Sequence, residues 1–201
     1  METTLTQNET GSYDAIAEWY ISARSPVAGI KDVEAFIDTL PPNATVLELG
    51  CGDGIPLSRL VIQKNHRLFA IDNSAKMVNK FRCNFPGIVA KCAPIQDTVF
   101  FSTSFDAVIA WGVLSHLLCC EQEAVIKHAA KCLKPGGRLF FTAQKEIING
   151  VCTMDGVDFP YVSLGNQSYT SILKQSGMRL ADEHFDRWGN YLYIADKYST
   201  R

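Results

Sequence analysis

A strand-like apolar run stops abruptly at a cluster of glycines in the first third of the chain. The segment "VLELGCGDGI" (46–55) holds Gly50, Gly52 and Gly54 within five residues. Glycines at this density are costly unless the backbone bends sharply or lies close against another group. Apolar residues at helical spacing follow in "IPLSRLVIQ" (55–63). The segment therefore predicts a strand, a tight loop and a helix, with a ligand held against the loop.

The alternation of strand-like and helix-like segments continues along the chain. Further strands are predicted at "RLFAID", "GIVAKC", "FDAVIAWG" and "RLFFTA", and helix-like segments follow the glycine loop and most of these strands. Repeated strand–helix units indicate a parallel sheet covered by helices on both faces. Near the end, "MRLADEHF" and "NYLYIADK" alternate and are expected to pair around "DRWG". The segment "QKEIINGVCTMDGVDFPYVSLGN" before them is interpreted as loop-rich.

These segments predict the fold class. We expect an α/β fold with a doubly wound, mostly parallel seven-stranded sheet, helices on both faces and the last strand antiparallel. At 201 residues the chain has the length of one domain, with a core of ordinary size.

Composition narrows the possible partners and the compartment. The charge of −2 argues against broad binding to nucleic acid, and no apolar run approaches the roughly 18 residues of a membrane-spanning helix. The polar start "METTLTQNETG" has no signal-peptide hydrophobic region. Seven cysteines without a CxxC pair are expected to be mostly buried, reduced thiols, with Cys119 and Cys120 among them. We therefore expect a cytoplasmic protein with no metal site.

Two positions narrow the nature of the ligand. The loop reads G-x-G-x-G, and a dinucleotide fingerprint would need glycine where Ile55 stands. Asp72 ends the second predicted strand, where a carboxylate can bind ribose hydroxyls with about 1.5–3 kcal/mol. Ser74 is the better cap for the next helix, which leaves Asp72 for a ligand. Glu48 is an acid within an otherwise apolar strand.

Four motifs together carry a resemblance to a known family. "VLELGCGDGIP", "FAIDNS", "SFDAVIAWG" and "CLKPGGRLFFT", in this order, resemble the successive motifs of class I S-adenosylmethionine-dependent methyltransferases. The resemblance covers roughly residues 12–197 and is strongest to small bacterial members. It implies S-adenosylmethionine as cofactor, S-adenosylhomocysteine as product, and methyl transfer to a small-molecule acceptor.

The resemblance also implies a role for each matching residue. Positions matching the family's cofactor contacts are Tyr13, Tyr20, Arg24, Glu48, Gly50, Cys51, Gly52, Asp72, Asn73, Met77, Cys92, Ala93, Pro94, Ala110 and Trp111. Tyr13, Tyr20 and Arg24 would belong to an N-terminal lid, and Asp72 would hold the ribose. Many members have aspartate in place of Cys92, so backbone contacts to the adenine are expected there.

The acceptor side is defined less sharply by the sequence. His116 follows the fourth strand and is the candidate base, if the acceptor must lose a proton; a structural histidine packed among leucines is the open alternative. Tyr161, Trp188 and Tyr191 are candidates for an aromatic acceptor pocket, since this fold usually builds that pocket from its last third.

These assignments divide one methyltransferase domain (1–201) into three parts. Residues 1–40 form lid helices, 45–143 the cofactor-binding core, and 144–201 the acceptor region and terminal strands. The expected partner is a small molecule, without nucleic acid or membrane, and the protein is a monomer or homodimer. Two other functions stay open. A dehydrogenase is disfavoured by Ile55 and by the lack of a Tyr-x-x-x-Lys pair, and an inactive S-adenosylmethionine-binding partner or sensor would keep the same loop.

Overall fold

The computed structural model describes residues 13–199 of the chain. The polar segment 1–11 and Ser12 lie outside the described residues. The helices are α1 (Tyr13–Ala23), α2 (Ile30–Ile37), α3 (Leu57–Gln63), α4 (Ala75–Asn84), α5 (Cys119–Cys132) and α6 (Asn166–Gln175). None of them is long and apolar enough to cross a membrane.

Most strands belong to one seven-stranded sheet. They are β1 (Thr45–Leu49), β2 (Arg67–Asp72), β3 (Val89–Cys92), β4 (Phe105–Ala110), β5 (Leu133–Thr142), β8 (Met178–Phe185) and β9 (Tyr191–Lys197). Their order is β3-β2-β1-β4-β5-β9-β8; the first five are parallel, and β9 runs antiparallel to both neighbours. This arrangement confirms the predicted fold class.

The central strands are buried on both faces, which explains their continuous apolar runs. Leu47 and Val108 pack into one cluster with α5 and α6. Val46 and Ala107 pack into another with α2, α3 and α4. The strand order reverses between β1 and β4, so a crevice opens at the carboxyl ends of these two strands.

The segment interpreted as loop-rich is instead a β-hairpin, so that expectation was wrong. Strands β6 (Ile147–Met154) and β7 (Val157–Leu164) form a separate two-stranded antiparallel sheet. Asp155 and Gly156 join them with φ of +48° and +74°, and this Asp-Gly pair is the turn signal that the sequence reading missed. Exposed apolar side chains at Ile147 and Val151 blur the alternation that would have identified β6.

The expectation of mostly buried cysteines was also wrong. Only Cys51 of the seven is buried, Cys132 and Cys152 are intermediate, and the other four are exposed; all seven are free thiols. Cys119 and Cys120 open the first turn of α5 and face outward instead of packing in the core.

Candidate functional site

A cavity of about 460 Å³ lies at the carboxyl ends of the central parallel strands. Its walls come from α1, the glycine loop, the loops after β2, β3 and β4, the start of α5, and β7. This size and place are typical of small-molecule sites in open α/β sheets. Within residues 13–199 no cluster of His, Cys, Asp or Glu side chains is arranged to hold a metal ion.

Glycine is needed at the three positions of the loop for different physical reasons. Gly50 and Gly54 adopt φ of +70° and +82°, and a Cβ there would lie 2.1 Å from Val113 Cγ2 and 2.4 Å from Phe85 Cε2. These two glycines are required by packing. Gly52 has φ of +55°, lines the cavity, and would place a Cβ with no heavy atom within 4 Å. Its backbone therefore faces open cavity space.

Asp72 ties the glycine loop to the end of β2. Its Oδ2 accepts the Gly52 N–H at 2.8 Å and its Oδ1 accepts the Ser74 N–H at 2.8 Å. Burial raises the pKa of Asp72, and these two hydrogen bonds oppose that rise. Ser74 caps α4 by accepting the Met77 N–H at 3.1 Å, which confirms the predicted cap.

A second carboxyl group, that of Glu48, is buried close enough to Asp72 of the cavity lining for their charges to interact. Glu48 is 4% exposed and accepts a hydrogen bond of 2.5 Å from the Ser58 hydroxyl. Burial raises the pKa of Glu48 to about 7, the Ser58 hydrogen bond opposes this, and the charges of Asp72 and Asp53 add to it. A positive charge in the cavity would favour the ionised form.

Helix α1 forms one wall of the cavity and is fixed at both ends. Tyr13 and Tyr20 line the cavity. Near its start, Asp14 Oδ1 bonds the Ser74 hydroxyl and accepts the Lys76 N–H at 3.0 Å. Just beyond its end, Arg24 pairs with buried Asp53 of the glycine loop at 2.7 Å. Arg24 thus contacts the loop rather than the cavity.

His116 lies in the cavity wall, at the end of a 3₁₀ turn (Leu114–His116) after β4. Its Nδ1 is 2.9 Å from the Pro160 carbonyl oxygen of β7. A carbonyl only accepts, so Nδ1 carries the hydrogen of the neutral ring and Nε2 keeps a lone pair. Burial lowers the pKa of His116, which favours this neutral form. The Tyr13 and Phe159 rings lie 5.9 Å from the imidazole, centroid to centroid.

The structure brings most of the predicted cofactor positions together. The predicted residues that line the cavity are Tyr13, Tyr20, Gly50, Gly52, Asp72, Asn73, Met77, Pro94, Trp111 and His116. Glu48, Cys51 and Ala110 are buried beside it. Cys92 and Ala93 do not line the cavity, and the Cys92 thiol is exposed.

The predicted acceptor residues are not gathered at the cavity. Trp188 is 52% exposed in the turn between β8 and β9. Tyr191 packs against Phe185, at the far side of the sheet from the crevice. Tyr161 lies near His116, with ring centroids 6.3 Å apart, but does not line the cavity. The aromatic residues chosen from the last third of the sequence therefore did not identify the residues that line the cavity.

Sequence reasoning missed about half of the residues that line the cavity. The missed lining residues are Ser74, Ile95, Gln96, Asp97, Gly112, Val113, Leu117, Leu118, Glu121, Phe159 and Pro160. Glu121 had a readable signal, since it caps α5 by accepting the Leu118 N–H at 2.8 Å. Within residues 13–199, the lysine and arginine side chains are all absent from the lining, and its carboxylates are Asp72, Asp97 and Glu121.

Several known sequences that resemble this chain are methyltransferases. A family model described as a methyltransferase domain matches residues 46–137. A ubiquinone biosynthesis O-methyltransferase of Xanthomonas oryzae pv. oryzae (strain PXO99A) is 31% identical over 130 residues, which cover 61% of this chain and 46% of the relative. A protein of the same name from Xylella fastidiosa is 25% identical over 198 residues, covering 89% and 74%. The chain thus spans about half the length of the first of these relatives.

Solved structures share the fold at low identity. The CcbJ methyltransferase from Streptomyces caelestis has a TM-score of 0.78 at 16% identity, covering 96% of this chain and 99% of that one. An amino pentose methyltransferase from Micromonospora echinaspora, solved with S-adenosylmethionine bound, has a TM-score of 0.71 at 16% identity, covering 98% and 99%. These likenesses show the fold alone.

Proposed function

Because the chain carries a methyltransferase domain of the class I S-adenosylmethionine-dependent family, we propose that it transfers a methyl group from S-adenosylmethionine to a hydroxyl group of a small organic molecule. The observation that carries the proposal is the open Gly52 backbone beside Asp72, at the carboxyl ends of β1 and β2. The O-methyltransferase names of the sequence relatives support oxygen as the accepting atom.

The cavity fits this cofactor by its own geometry. Gly52 and Gly112 both line it with positive φ, and a Cβ at either position would meet no heavy atom within 4 Å. Asp72 would hold the ribose hydroxyls, and Asn73 and Met77 would flank the adenine. When bound, S-adenosylmethionine would supply an electrophilic methyl group on sulfur. All other contributions come from the residues of the chain.

Calorimetry tests the cofactor assignment directly. We expect saturable binding of S-adenosylhomocysteine to the purified protein and no binding of NAD, because the loop lacks the third glycine of the dinucleotide fingerprint. Binding of NAD without binding of S-adenosylhomocysteine would overturn the proposal.

A pair of glycine substitutions separates cofactor contact from backbone strain. Gly52→Ala and Gly156→Ala both add a Cβ in open space at a positive φ of +55° and +74°. Each should cost about 1 kcal/mol of unfolding free energy. Only Gly52 lines the cavity, so only Gly52→Ala should weaken S-adenosylhomocysteine binding, by about tenfold. Equal affinities in the two variants, measured by calorimetry, would remove Gly52 from the site.

The buried Glu48 predicts that cofactor binding depends on pH. With a pKa of about 7, Glu48 is protonated in acid, and a cationic ligand is held more tightly when this nearby group is ionised. The affinity for S-adenosylmethionine should rise by up to about tenfold per pH unit below pH 7 and level off above it. Glu48→Gln should flatten this rise in calorimetric titrations. A wild-type affinity that is constant from about pH 6 to 8 would contradict the assignment.

The charge of the lining supports an acceptor without an anionic group. Asp72 and Asp97 contribute carboxylates to the lining, to which the lysines and arginines of residues 13–199 do not contribute, and Arg24 at the glycine loop is paired with Asp53. A carboxylate or phosphate on the acceptor would be repelled there. We therefore propose a neutral or cationic acceptor, which also disfavours nucleic acid as the substrate.

His116 is proposed as the base that accepts the hydroxyl proton. Its Nδ1–H donates to Pro160, so Nε2 is the nitrogen with a lone pair for that proton. General-base contributions of this kind are about 10²–10⁴-fold in rate. The remaining contribution is alignment of the two reactants in a closed site.

Helix α1 is proposed as the lid that excludes water from this site. Tyr13 and Tyr20 form its inner surface, and the Asp14 and Arg24 contacts fix it to α4 and to the glycine loop. We accordingly propose the division of the domain into a lid (1–40), a cofactor-binding core (45–143) and an acceptor region (144–201). Strand β7 is the part of the acceptor region that lines the cavity. The exposed free thiols support a cytoplasmic location, since such thiols stay reduced there.

A further inference from the structure

A buried amide on α5 joins the two backbone segments that carry the proposed base and its hydrogen-bond partner. Gln122 is 0% exposed. Its Nε2 donates to the Leu117 carbonyl at 2.9 Å and to the Val162 carbonyl at 3.1 Å. Leu117 directly follows His116, and Val162 stands two residues after Pro160 in β7. One side chain therefore bonds both the 3₁₀ turn and the hairpin.

The two carbonyls, which only accept, fix the orientation of this amide, and its oxygen has a third partner. The Tyr169 hydroxyl of α6 donates to Gln122 Oε1 at 2.5 Å and accepts the Leu164 N–H at 3.1 Å. The oxygen of the amide therefore faces the hydroxyl, and both N–H groups face carbonyls. Every polar atom of the Gln122 side chain has a partner, as a buried amide requires.

We propose that Gln122 is a positioning residue, which holds the Pro160 carbonyl against Nδ1 of His116 and so keeps the Nε2 lone pair in the cavity. The inference rests on the proposed role of His116 as base. The bond it protects is the 2.9 Å contact between Nδ1 and the Pro160 oxygen. Without the two amide donors, the turn and β7 lose the side-chain bridge between them, and Nδ1 loses its fixed acceptor. The neutral ring would then populate both tautomers.

The test reads the imidazole itself by ¹⁵N NMR of histidine-labelled protein, with the His116 signals assigned from the His116→Asn spectrum. Wild type should show the Nδ1–H tautomer. Gln122→Met has a similar length without donors and should raise the Nε2–H tautomer to a comparable population. Tyr169→Phe is the matched control, because it removes a buried hydrogen bond of the same cluster but leaves both amide donors. It should keep the wild-type tautomer.

A second variant keeps the inference testable if Gln122→Met does not fold. Gln122→Asn keeps the amide but is one methylene shorter, so it cannot reach both carbonyls, and it should shift the tautomer in the same direction. Once an acceptor is identified, the shifted variant should lose about twofold in kcat at an unchanged KM, because about half of its rings lack the Nε2 lone pair. A folded Gln122 variant with the wild-type tautomer, or an equal shift in Tyr169→Phe, would overturn the inference.

Failure of the proposed function gives a different result. S-adenosylhomocysteine binding is measured by calorimetry on the same samples. Absence of binding to the wild-type protein would overturn the cofactor assignment. The tautomer of His116 is measured without any ligand, so it reports on Gln122 alone.

Discussion

We expect His116→Asn to lower the rate of methyl transfer by about 10²–10⁴-fold while S-adenosylhomocysteine binds as in wild type. The asparagine amide can still donate to the Pro160 carbonyl in place of Nδ1. It has no atom that replaces the Nε2 lone pair. The variant therefore removes the proposed proton acceptor and keeps the local hydrogen bond. The rate is measured as labelled methyl incorporated from S-adenosylmethionine into metabolite extracts, and then into the acceptor isolated from them.

His128→Asn is the matched control for this variant. His128 lies on α5 and stacks on Phe100 with ring centroids 4.0 Å apart, away from the cavity lining. We expect a modest loss of stability and a wild-type rate. A wild-type rate in His116→Asn would return His116 to a structural role, and a loss of S-adenosylhomocysteine affinity there would place it in the cofactor site instead.

Asp72→Ala should weaken S-adenosylhomocysteine binding by about 10- to 100-fold, where tenfold corresponds to about 1.4 kcal/mol. The variant removes the carboxylate that we propose binds the ribose, and it also removes the acceptor for the N–H groups of Gly52 and Ser74. Since hydrogen bonds to charged groups contribute about 1.5–3 kcal/mol each, the unfolding free energy should also fall measurably. Calorimetry gives the affinity and urea unfolding gives the stability.

Asp106→Ala separates these two effects. Asp106 also sits in a strand and accepts a backbone N–H, from Thr45 at 2.8 Å, and it pairs with Lys134 at 2.8 Å. It lies near the start of β4, at the opposite edge of the sheet from the cavity. We expect a loss of stability without a loss of affinity. Equal affinity losses in both variants would show that Asp72 acts only through stability.

The cavity wall formed by the glycine loop and the end of β2 was predictable because its residues belong to two consecutive strand–loop–helix units. The strand β1, the spacing of Gly50 and Gly52, and Asp72 at the end of β2 each follow from short-range periodicity and strand order. Parallel strands bring their carboxyl ends to one edge, so residues of neighbouring units meet there. The same reasoning predicted the cap at Ser74.

The opposite half could not be predicted in this way. Tyr13 and Phe159 come from opposite ends of the described chain, yet their ring centroids lie 4.9 Å apart. No periodicity links them, because the contact depends on how the hairpin folds back over the crevice. Trp188 and Tyr191 were chosen by residue type, but Trp188 lies in the β8–β9 turn, and β5 separates the strand of Tyr191 from β4. Gln122 gave no signal, since a polar residue on an amphipathic helix usually faces solvent.

The β6–β7 hairpin pairs only with itself and is not a neighbour of any strand in the seven-stranded sheet of the described residues. In the chain order, the hairpin lies between β5 and α6. Insertions, deletions or whole replacements within 147–164 therefore leave the register of the sheet and the glycine loop unchanged. Selection can vary one wall of the cavity while the sheet is kept, provided that Pro160 and Val162 retain their contacts to His116 and Gln122. The same change can be made in the laboratory by grafting this hairpin between relatives. The β6–β7 hairpin is therefore the segment to replace when a different acceptor is sought.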